Sequence, residues 1–241
     1  MTQRASDAPR DTRDRLIEVI AAHGPITARE LAERFDLTSA AVRRHLSALE
    51  ADGVIVEHEV PVASRGRGRP SKSFVIGSTA RIGGEGDGGE LGRLALDALD
   101  ALAGLGGAEA VEAVARARVE PWERAFEERS AELGPDALPL DRVRTLARVI
   151  DADGYATTVR PLTVTVPAAN GAHRPRTVMT AQLCQGHCPV QDVAAAHPQI
   201  CEIETRSLSR MLGVPVQRLA TLAGGAHACT THIPLTEGRT P

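Results

Sequence analysis

All four cysteines of this chain lie in its last quarter, at Cys184, Cys188, Cys201 and Cys229, with the spacing C-x3-C-x12-C-x27-C. Thiolates bind soft and borderline metals, and iron–sulfur clusters take them almost exclusively. All four lie between residues 184 and 229 of a chain of 241 residues, which favours a shared metal site over scattered core cysteines. Structural zinc sites usually contain C-x2-4-C pairs, often two of them, whereas this chain has one such pair. On chemistry alone, zinc and an iron–sulfur cluster are equally open.

Two of these thiols are expected at the beginnings of helices. Cys188 directly precedes a proline, which is favoured at the first helical position, so it is expected at the N-cap, and Cys201 is expected to open the next helix. The partial positive charge at a helix N-terminus stabilises a thiolate and an anionic cluster. His227 and His232 flank Cys229 and are reserve ligands if one cysteine does not bind.

A second stretch with a chemical character is "VASRGRGRPSKSFVI", residues 62–76, which concentrates positive charge in a chain of net charge −3. Its cations are Arg65, Arg67, Arg69 and Lys72. Arginine and lysine are attracted to phosphates and to the negative potential of a narrow minor groove, and "RGRP" resembles the core of the AT-hook peptide. A Gly/Arg turn is also a common form of solvated loop. The neighbouring segments must therefore indicate whether this one contacts DNA.

Those neighbours predict a winged helix-turn-helix over residues 11–80. Thr27 and Glu30 have capping-box spacing at the start of the second helix. The third helix buries Val42, Leu46 and Leu49, and a strand, the Gly/Arg turn and a return strand follow it. Because the major groove admits one helix, the opposite face of the third helix is expected to contact DNA. The expected contacts on that face are Ser39, Ala40, Arg43, Arg44 and Ser47, and the wing adds its four cations.

The rest of the chain predicts a mainly α protein with small β structure, in the α+β class. The expected divisions are disordered tails at 1–10 and 236–241, a Gly-rich hinge at 81–90, a helical dimerisation region at 91–153 and a cluster-binding sensor domain at 154–235. A leucine stripe in the helical region, Leu91, Leu94, Leu96, Leu99 and Leu102, is a candidate dimer seam. Two strands are expected around the Asn170-Gly171 turn, followed by helices at 189–196, 201–212 and 215–223.

Composition and motifs exclude several classes of function. No apolar run approaches the ~20 residues of a membrane span, and the polar N-terminus does not resemble a signal peptide, so a cytoplasmic protein with no membrane partner is expected. The sequence contains no G-x-S-x-G, P-loop or H-E-x-x-H motif, so the chain is not expected to be an enzyme. The paired carboxylates Glu127-Glu128 and Glu202/Glu204 are expected on solvated helix faces.

Both ends of the chain resemble one family. "CPVQDVAAAHPQICEIE" and "MLGVPVQRLATLAGGAHACTTHIP" near the C-terminus look like the signature of SufR-type regulators. These are iron–sulfur cluster-binding winged-helix repressors of the suf operon, which builds iron–sulfur clusters. "LTSAAVRRHLSALEADGVI" and "GRGRPSKSFVI" resemble the DNA-binding part of the same family.

The resemblance implies a homodimer that holds a [4Fe-4S] cluster in each subunit and represses transcription on double-stranded operator DNA until the cluster is lost. Cys188, Cys201 and Cys229 fall on the best-matching cysteine positions, and Cys184 belongs to the version with the extra C-x3-C pair. A site with three cysteines and a different fourth ligand stays open, as do a [2Fe-2S] cluster and zinc. The alternative function is a winged-helix repressor with a structural zinc site that senses another signal.

Overall fold

The computed structural model describes residues 12–58, 72–77, 88–134, 137–166 and 176–235. The chain divides into two compact units, residues 1–82 and 83–241. Several expectations concern residues outside the described ranges: the wing cations Arg65, Arg67 and Arg69, most of the hinge at 81–90, the Asn170-Gly171 turn and both tails.

The N-terminal unit has the element order of a winged helix. Its elements are α1 (Thr12–His23), β1 (Ile26–Thr27), α2 (Ala28–Phe35), α3 (Ser39–Ala51), β2 (Ile55–His58) and β3 (Ser73–Ile76). The strands pair antiparallel in the order β1-β3-β2, with Ile55 opposite Ile76 and His58 opposite Ser73. The predicted helices and hairpin of this unit are confirmed.

Its core is apolar, and its second helix begins at a complete capping box. Leu16, Leu31 and Leu46 are almost fully buried, as expected for side chains that recur at helical spacing. The backbone N–H of Thr27 donates to Glu30 Oε2 at 2.8 Å, and the backbone N–H of Glu30 donates to Thr27 Oγ1 at 3.3 Å. Two amides that the helix leaves unpaired are thus satisfied by side chains, which fixes where α2 starts.

The C-terminal unit packs helices against a second antiparallel sheet. Its elements are α4 (Gly88–Ala131), α5 (Pro139–Asp151), β4 (Thr157–Val166), β5 (Arg176–Gln185), α6 (Gln191–Ala196), α7 (Gln199–Leu212), β6 (Gln217–Ala220) and β7 (Cys229–Pro234). The strands pair in the order β4-β5-β7-β6. One hydrophobic core joins Trp122 of α4, Leu146 of α5, Leu183 of β5 and Ile203 of α7. Segments 91–153 and 154–235, expected as separate domains, therefore form one unit because their apolar faces bury each other.

The glycine pair Gly106-Gly107 predicts a break between two helices, and the structure contains it. The run labelled α4 consists of two helices that meet at a kink at Gly107, whose φ is 65°. Glycine tolerates this conformation because it has no Cβ.

Within the described ranges, no helix is both long enough and apolar enough to cross a membrane.

The predicted helix at 215–223 is wrong. Residues Gln217–Ala220 form the edge strand β6, which pairs antiparallel with β7, and a turn follows at 222–225. Strand β7 itself lies between β5 and β6, so both of its edges are hydrogen-bonded. Pairing with a strand that comes later in the chain overrides the short apolar spacing that predicted a helix.

Candidate DNA-binding surface and candidate metal centre

The residues of α3 that were expected to contact DNA lie on its outer face. Ala40, Arg43, Arg44 and Ser47 are exposed, and Ser39 is half-buried. Val42, Leu46 and Leu49, on the other side of the helix, are buried. Thr38 caps the helix by accepting a hydrogen bond from the Ala41 backbone N–H at 3.2 Å. The face with the two arginines is thus presented by a helix that is anchored on its opposite side.

Of the four cations expected in the wing, Lys72 is the one within the described residues. Its ammonium group forms an ion pair with Glu57 of the neighbouring strand β2. Both side chains are partly exposed, so the pair contributes little to stability. An exposed pair of this kind exchanges readily, and Lys72 would have to leave Glu57 to contact a phosphate directly.

The sheet of the C-terminal unit separates Cys184 from Cys229. Residues directly opposite each other on antiparallel strands have their side chains on the same face, and successive residues alternate between faces. Cys229 is opposite Gln185, whereas Cys184 is opposite Thr230, so the two cysteines lie on opposite faces. Leu183, on the Cys229 face, is fully buried in the core. The Cys229 face is therefore the inner face, and Cys184 lies on the outer one.

Two further cysteines approach the inner face from other elements. Cys188 follows β5 and is buried, and Cys201 lies in the first turn of α7. The ionisation of Cys188 is affected by both Cys229 and Cys201, as expected for neighbouring sulfurs. The only charge that perturbs Cys184 is the Arg160 guanidinium. Cys188, Cys201 and Cys229 are thus near enough to influence one another's ionisation, whereas Cys184 is not among the groups that act on them.

Burial, and not the helix dipole, dominates the ionisation of these thiols. It raises the pKa of Cys188 to about 12 and that of Cys201 to about 11, and it also raises the pKa of Cys229. The expectation of a lowered pKa fails because desolvation disfavours the charged form. Cys188 is also not an N-cap, since α6 begins at Gln191 and is preceded by Val190. All three thiols are therefore protonated near neutral pH, and any metal that they bound would have to displace their protons.

The two reserve histidines stand apart from the inner face. His232 alternates with Thr231 on β7 and is opposite Gln182, so it shares the outer face with Cys184. His227 is exposed in the loop before β7. Across the described part of the chain, no three His, Cys, Asp or Glu side chains are already placed to hold one metal ion. The three inner cysteines supply suitable donors, and ligation would require their side chains to close together.

Buried charges adjoin the three cysteines. Glu204 of α7 is 3% exposed and accepts a hydrogen bond from the Tyr155 hydroxyl at 2.9 Å. Arg118 of α4 donates to the same hydroxyl and reaches within 4.0 Å of Glu204. Glu204 raises the pKa of Cys188, after burial, and also that of Cys201. The solvated face expected for Glu204 is wrong, since it follows Cys201 by three residues and lies on the inward side of α7.

Arg218 is the second buried cation beside the cysteines. It is opposite Thr231 on β7, which places its side chain on the inner face that carries Cys229 two residues earlier. Its side chain is 9% exposed, and its Nη2 is 3.8 Å from Glu204 Oε2. Its Nε and Nη2 atoms are buried without a hydrogen-bond partner, as are Gln185 Oε1 and Thr231 Oγ1 on the same face. Buried donors of this kind fit an anionic group among the cysteines.

Sequence reasoning missed Arg218 because it lies in the segment predicted as a helix. The i, i+4 spacing of Ile200, Glu204 and Leu208 was a readable signal for Glu204, since both flanking residues are buried. No such signal existed for Arg218, whose inward orientation depends on the pairing of β6 with β7.

The comparison with protein families agrees with the fold of the N-terminal unit. Residues 10–56 match the family described as winged helix-turn-helix DNA-binding. No curated protein and no solved structure gave a significant match to the chain. The match and the element order together support a transcriptional regulator that binds double-stranded DNA.

Proposed function

We propose that this protein is an iron–sulfur cluster-sensing repressor of the suf operon, which binds operator DNA while it holds its cluster and releases the DNA when the cluster is lost. One observation carries the proposal. Cys188 after β5 and Cys229 of β7 belong to one hydrophobic core, Cys201 of α7 packs against it, and these thiols influence one another's ionisation near the buried Arg218. The N-terminal unit of the same chain is a winged helix. The resemblance of the same segment to SufR-type regulators supports the identity of the group.

The ligands in this proposal are Cys188, Cys201 and Cys229, with a non-cysteine group at the fourth position of a [4Fe-4S] cluster. Bound there, the cluster supplies a cross-link that iron supply and oxidants can make or break. Structural zinc sites favour closely spaced cysteine pairs, but the one such pair in this chain is divided because Cys184 lies on the outer face. This division favours an iron–sulfur cluster over zinc, and it also makes Cys184 dispensable for loading.

Ligation would tie together parts of the unit that are distant in sequence. Cys188 belongs to the segment after β5, Cys201 to the start of α7 and Cys229 to β7. Their connection orders the intervening chain, including β6 and its turn. A sensor requires the loaded state to bind DNA better than the empty state, and a hundredfold ratio corresponds to ~2.7 kcal/mol of coupling.

The test is anaerobic isolation of the full chain, with an absorption spectrum and iron and sulfide analysis, followed by gel-shift binding to suf promoter DNA. Cys188→Ser, Cys201→Ser and Cys229→Ser should each abolish loading and tight DNA binding, whereas the matched control Cys184→Ser should retain both. Alkylation followed by mass spectrometry should show that loading protects the three inner cysteines and leaves Cys184 unprotected. A colourless protein that contains zinc, or equal promoter affinity with and without the cluster, would contradict the proposal.

We also propose that the protein is a homodimer that pairs through the first part of α4. The predicted leucine stripe divides there: Leu99 is buried in the core and Leu96 is half-buried, whereas other members are exposed. An exposed apolar face repeats at heptad-like spacing, through Leu91, Leu94, Ala98, Ala101 and Leu105. Two winged helices joined in this way would read half-sites about one helical turn, ~34 Å, apart.

Leu94 and Leu105 are the sharpest probes of this seam, since they are 64% and 88% exposed. Leu94→Glu and Leu105→Glu should convert a dimer to a monomer in sedimentation velocity without unfolding the chain. Leu162→Glu, on an exposed part of β4, is the matched control and should leave the dimer intact. A monomeric wild-type protein, or dimeric Glu variants, would refute the seam.

A further inference from the structure

We propose that Arg218 is a positioning residue of the three-cysteine site, and that its guanidinium donates hydrogen bonds to the anionic metal–thiolate group that the cysteines hold. The inference rests on the proposed function, because it assumes that Cys188, Cys201 and Cys229 bind a metal. It assigns to Arg218 the support of that group by hydrogen bonds from outside the ligand set.

The sheet aims this side chain at the site. Arg218 on β6 is opposite Thr231 on β7, and Cys229 precedes Thr231 by two residues, so all three side chains lie on the inner face. The pairing becomes irregular immediately after Arg218, at the β-bulge between Arg218 and Ala220. Bulges commonly re-aim a neighbouring side chain beside a functional site. The Arg218 guanidinium lies beside the Cys229 sulfur, since burial raises the pKa of Cys229 while the charge of Arg218 and a side-chain hydrogen bond from it act in the opposite direction.

The guanidinium has donors that the described chain does not use. Its Nε and Nη2 are buried and lack a hydrogen-bond partner, and the 3.8 Å from Nη2 to Glu204 Oε2 exceeds hydrogen-bonding distance. Glu204 is already engaged by the Tyr155 hydroxyl, and Arg118 also lies near it. A buried cation with unused donors is unfavourable unless an acceptor completes it. The arrangement is therefore suited to an acceptor that the site receives later.

The charges around the site indicate the sign of that acceptor. Arg118 and Arg218 are cations, and Glu204 is the anion between them. The buried charged side chains beside the cysteines thus include two cations and one anion. Three thiolates around a divalent ion, or around an iron–sulfur core, carry net negative charge and restore the balance. Arginine suits this role because its planar fork of donors is always charged.

Removal of a residue that hydrogen-bonds to the ligands of a metal typically weakens metal affinity by about 10–100-fold. We therefore expect Arg218→Met to lose its iron–sulfur group to a chelator about 10-fold faster or more than wild type, with Arg218→Lys intermediate. Loss is followed by the decay of visible absorption under anaerobic conditions. The matched control is Arg206→Met, which removes an exposed arginine of α7 that pairs with Glu202, and it should decay like wild type.

A second readout separates ligand binding from a purely structural role. Metal-free Arg218→Met should unfold at the same or a higher denaturant concentration than metal-free wild type, because it removes a buried charge with unused donors. Equal decay rates in Arg218→Met and wild type would overturn the proposal. The proposal would also be overturned if Arg218→Met lowered the unfolding midpoint of the metal-free protein as much as that of the loaded protein. The arginine would then stabilise the fold only through its ion pair with Glu204.

A cobalt(II) titration distinguishes failure of this inference from failure of the proposed function. Thiolate-bound cobalt(II) absorbs visibly, so its affinity for wild type and Arg218→Met is measured without any cluster. If wild type binds cobalt(II) but no iron–sulfur group, the proposed function fails, and a weaker affinity in Arg218→Met still supports the role of Arg218. If wild type binds neither, both proposals are wrong.

Discussion

The two units of this protein treat positive charge in opposite ways. In the N-terminal unit, Arg43 and Arg44 project from the outer face of α3 while an entirely apolar side of the helix faces the core. In the C-terminal unit, Arg218 is buried beside thiols and a carboxylate. A cation left in water is available to a large external polyanion, whereas a cation enclosed by protein requires a partner small enough to be enclosed with it. The location of the arginines thus distinguishes a surface suited to a macromolecule from the compact site that we propose in the C-terminal unit.

The comparison also concerns stability. The N-terminal unit satisfies its polar groups locally, with caps on α2 and α3. The C-terminal unit leaves several buried polar atoms without partners on the inner face of its sheet, among them atoms of Arg218, Gln185 and Thr231. Among its described residues, the N-terminal unit has no buried side-chain polar atom without a partner. In the proposed function, a bound ligand would complete the polar groups of the C-terminal unit, and loading would then change its free energy.

The largest expected effect comes from removing a core leucine in one unit at a time. Leu183→Ala should lower the free energy of unfolding of the C-terminal unit by ~2–5 kcal/mol, because it leaves a cavity where the side chain was fully buried. Trp122, the only tryptophan of the chain, lies in that core, so its fluorescence during urea denaturation reports this unit. Leu162→Ala, at an exposed position of β4, should change little. Leu46→Ala should destabilise α3 and leave the tryptophan transition in place.

Raising the pH should weaken the metal-free C-terminal unit alone. The pKa of Cys188 rises from an ordinary value of 9.0 to about 12, so the folded state binds its proton more tightly than the unfolded state does. The resulting stability is fully present below pH 9 and is lost as the pH rises towards 12, by up to ~1.4 kcal/mol per pH unit for one such group. Tryptophan-monitored denaturation of reduced, metal-free protein measures this slope. Cys188→Ser should reduce the pH dependence of the free energy of unfolding by the contribution of this one thiol. An unchanged slope in the variant would show that Cys188 does not titrate as described.

Neutralising the exposed arginines should weaken DNA binding without weakening the fold. Arg43→Ala or Arg44→Ala should each reduce affinity by ~1–3 kcal/mol if the arginine reads a base edge, and should flatten the salt dependence by about one ion if it contacts a phosphate. Fluorescence anisotropy with a mixed-sequence duplex, at several salt concentrations, separates these cases. Arg124→Ala on α4, which removes an exposed arginine from the other unit, is the control. Affinity unchanged in both α3 variants would exclude this face from the interface.

The smallest expected effect is the loss of one helix cap. Thr27→Ala removes the hydroxyl that accepts from the Glu30 amide, and it should destabilise the N-terminal unit by ~1 kcal/mol. Thr27→Ser keeps the hydroxyl and should retain most of that stability. Hydrogen exchange of the α2 amides provides the measurement, because the tryptophan lies in the other unit. Equal protection in the Ala and Ser variants would show that the cap is not needed.

Local patterns predicted the N-terminal unit well because its structure is local. The capping box of Thr27 and Glu30 and the buried stripe of α3 depend on residues three or four apart, and both are present as expected. The site in the C-terminal unit depends on strand pairing across the chain. That pairing decides that Cys184 lies on the outer face and that Arg218 points inward. The sequence could group the four cysteines, and the metal site that they suggest stays a prediction. The separation of Cys184 from Cys229 could be read only from the register of β5 with β7.

The position of β7 has a consequence for synthesis. This strand is the last of its sheet to leave the ribosome, yet it lies between β5 and β6 and brings Cys229 with it. The helices and hairpin of the N-terminal unit are complete in the nascent chain long before that moment, since domains generally fold as they emerge. The DNA-binding unit of each new molecule can therefore be folded before Cys229 takes its place in the sheet of the C-terminal unit.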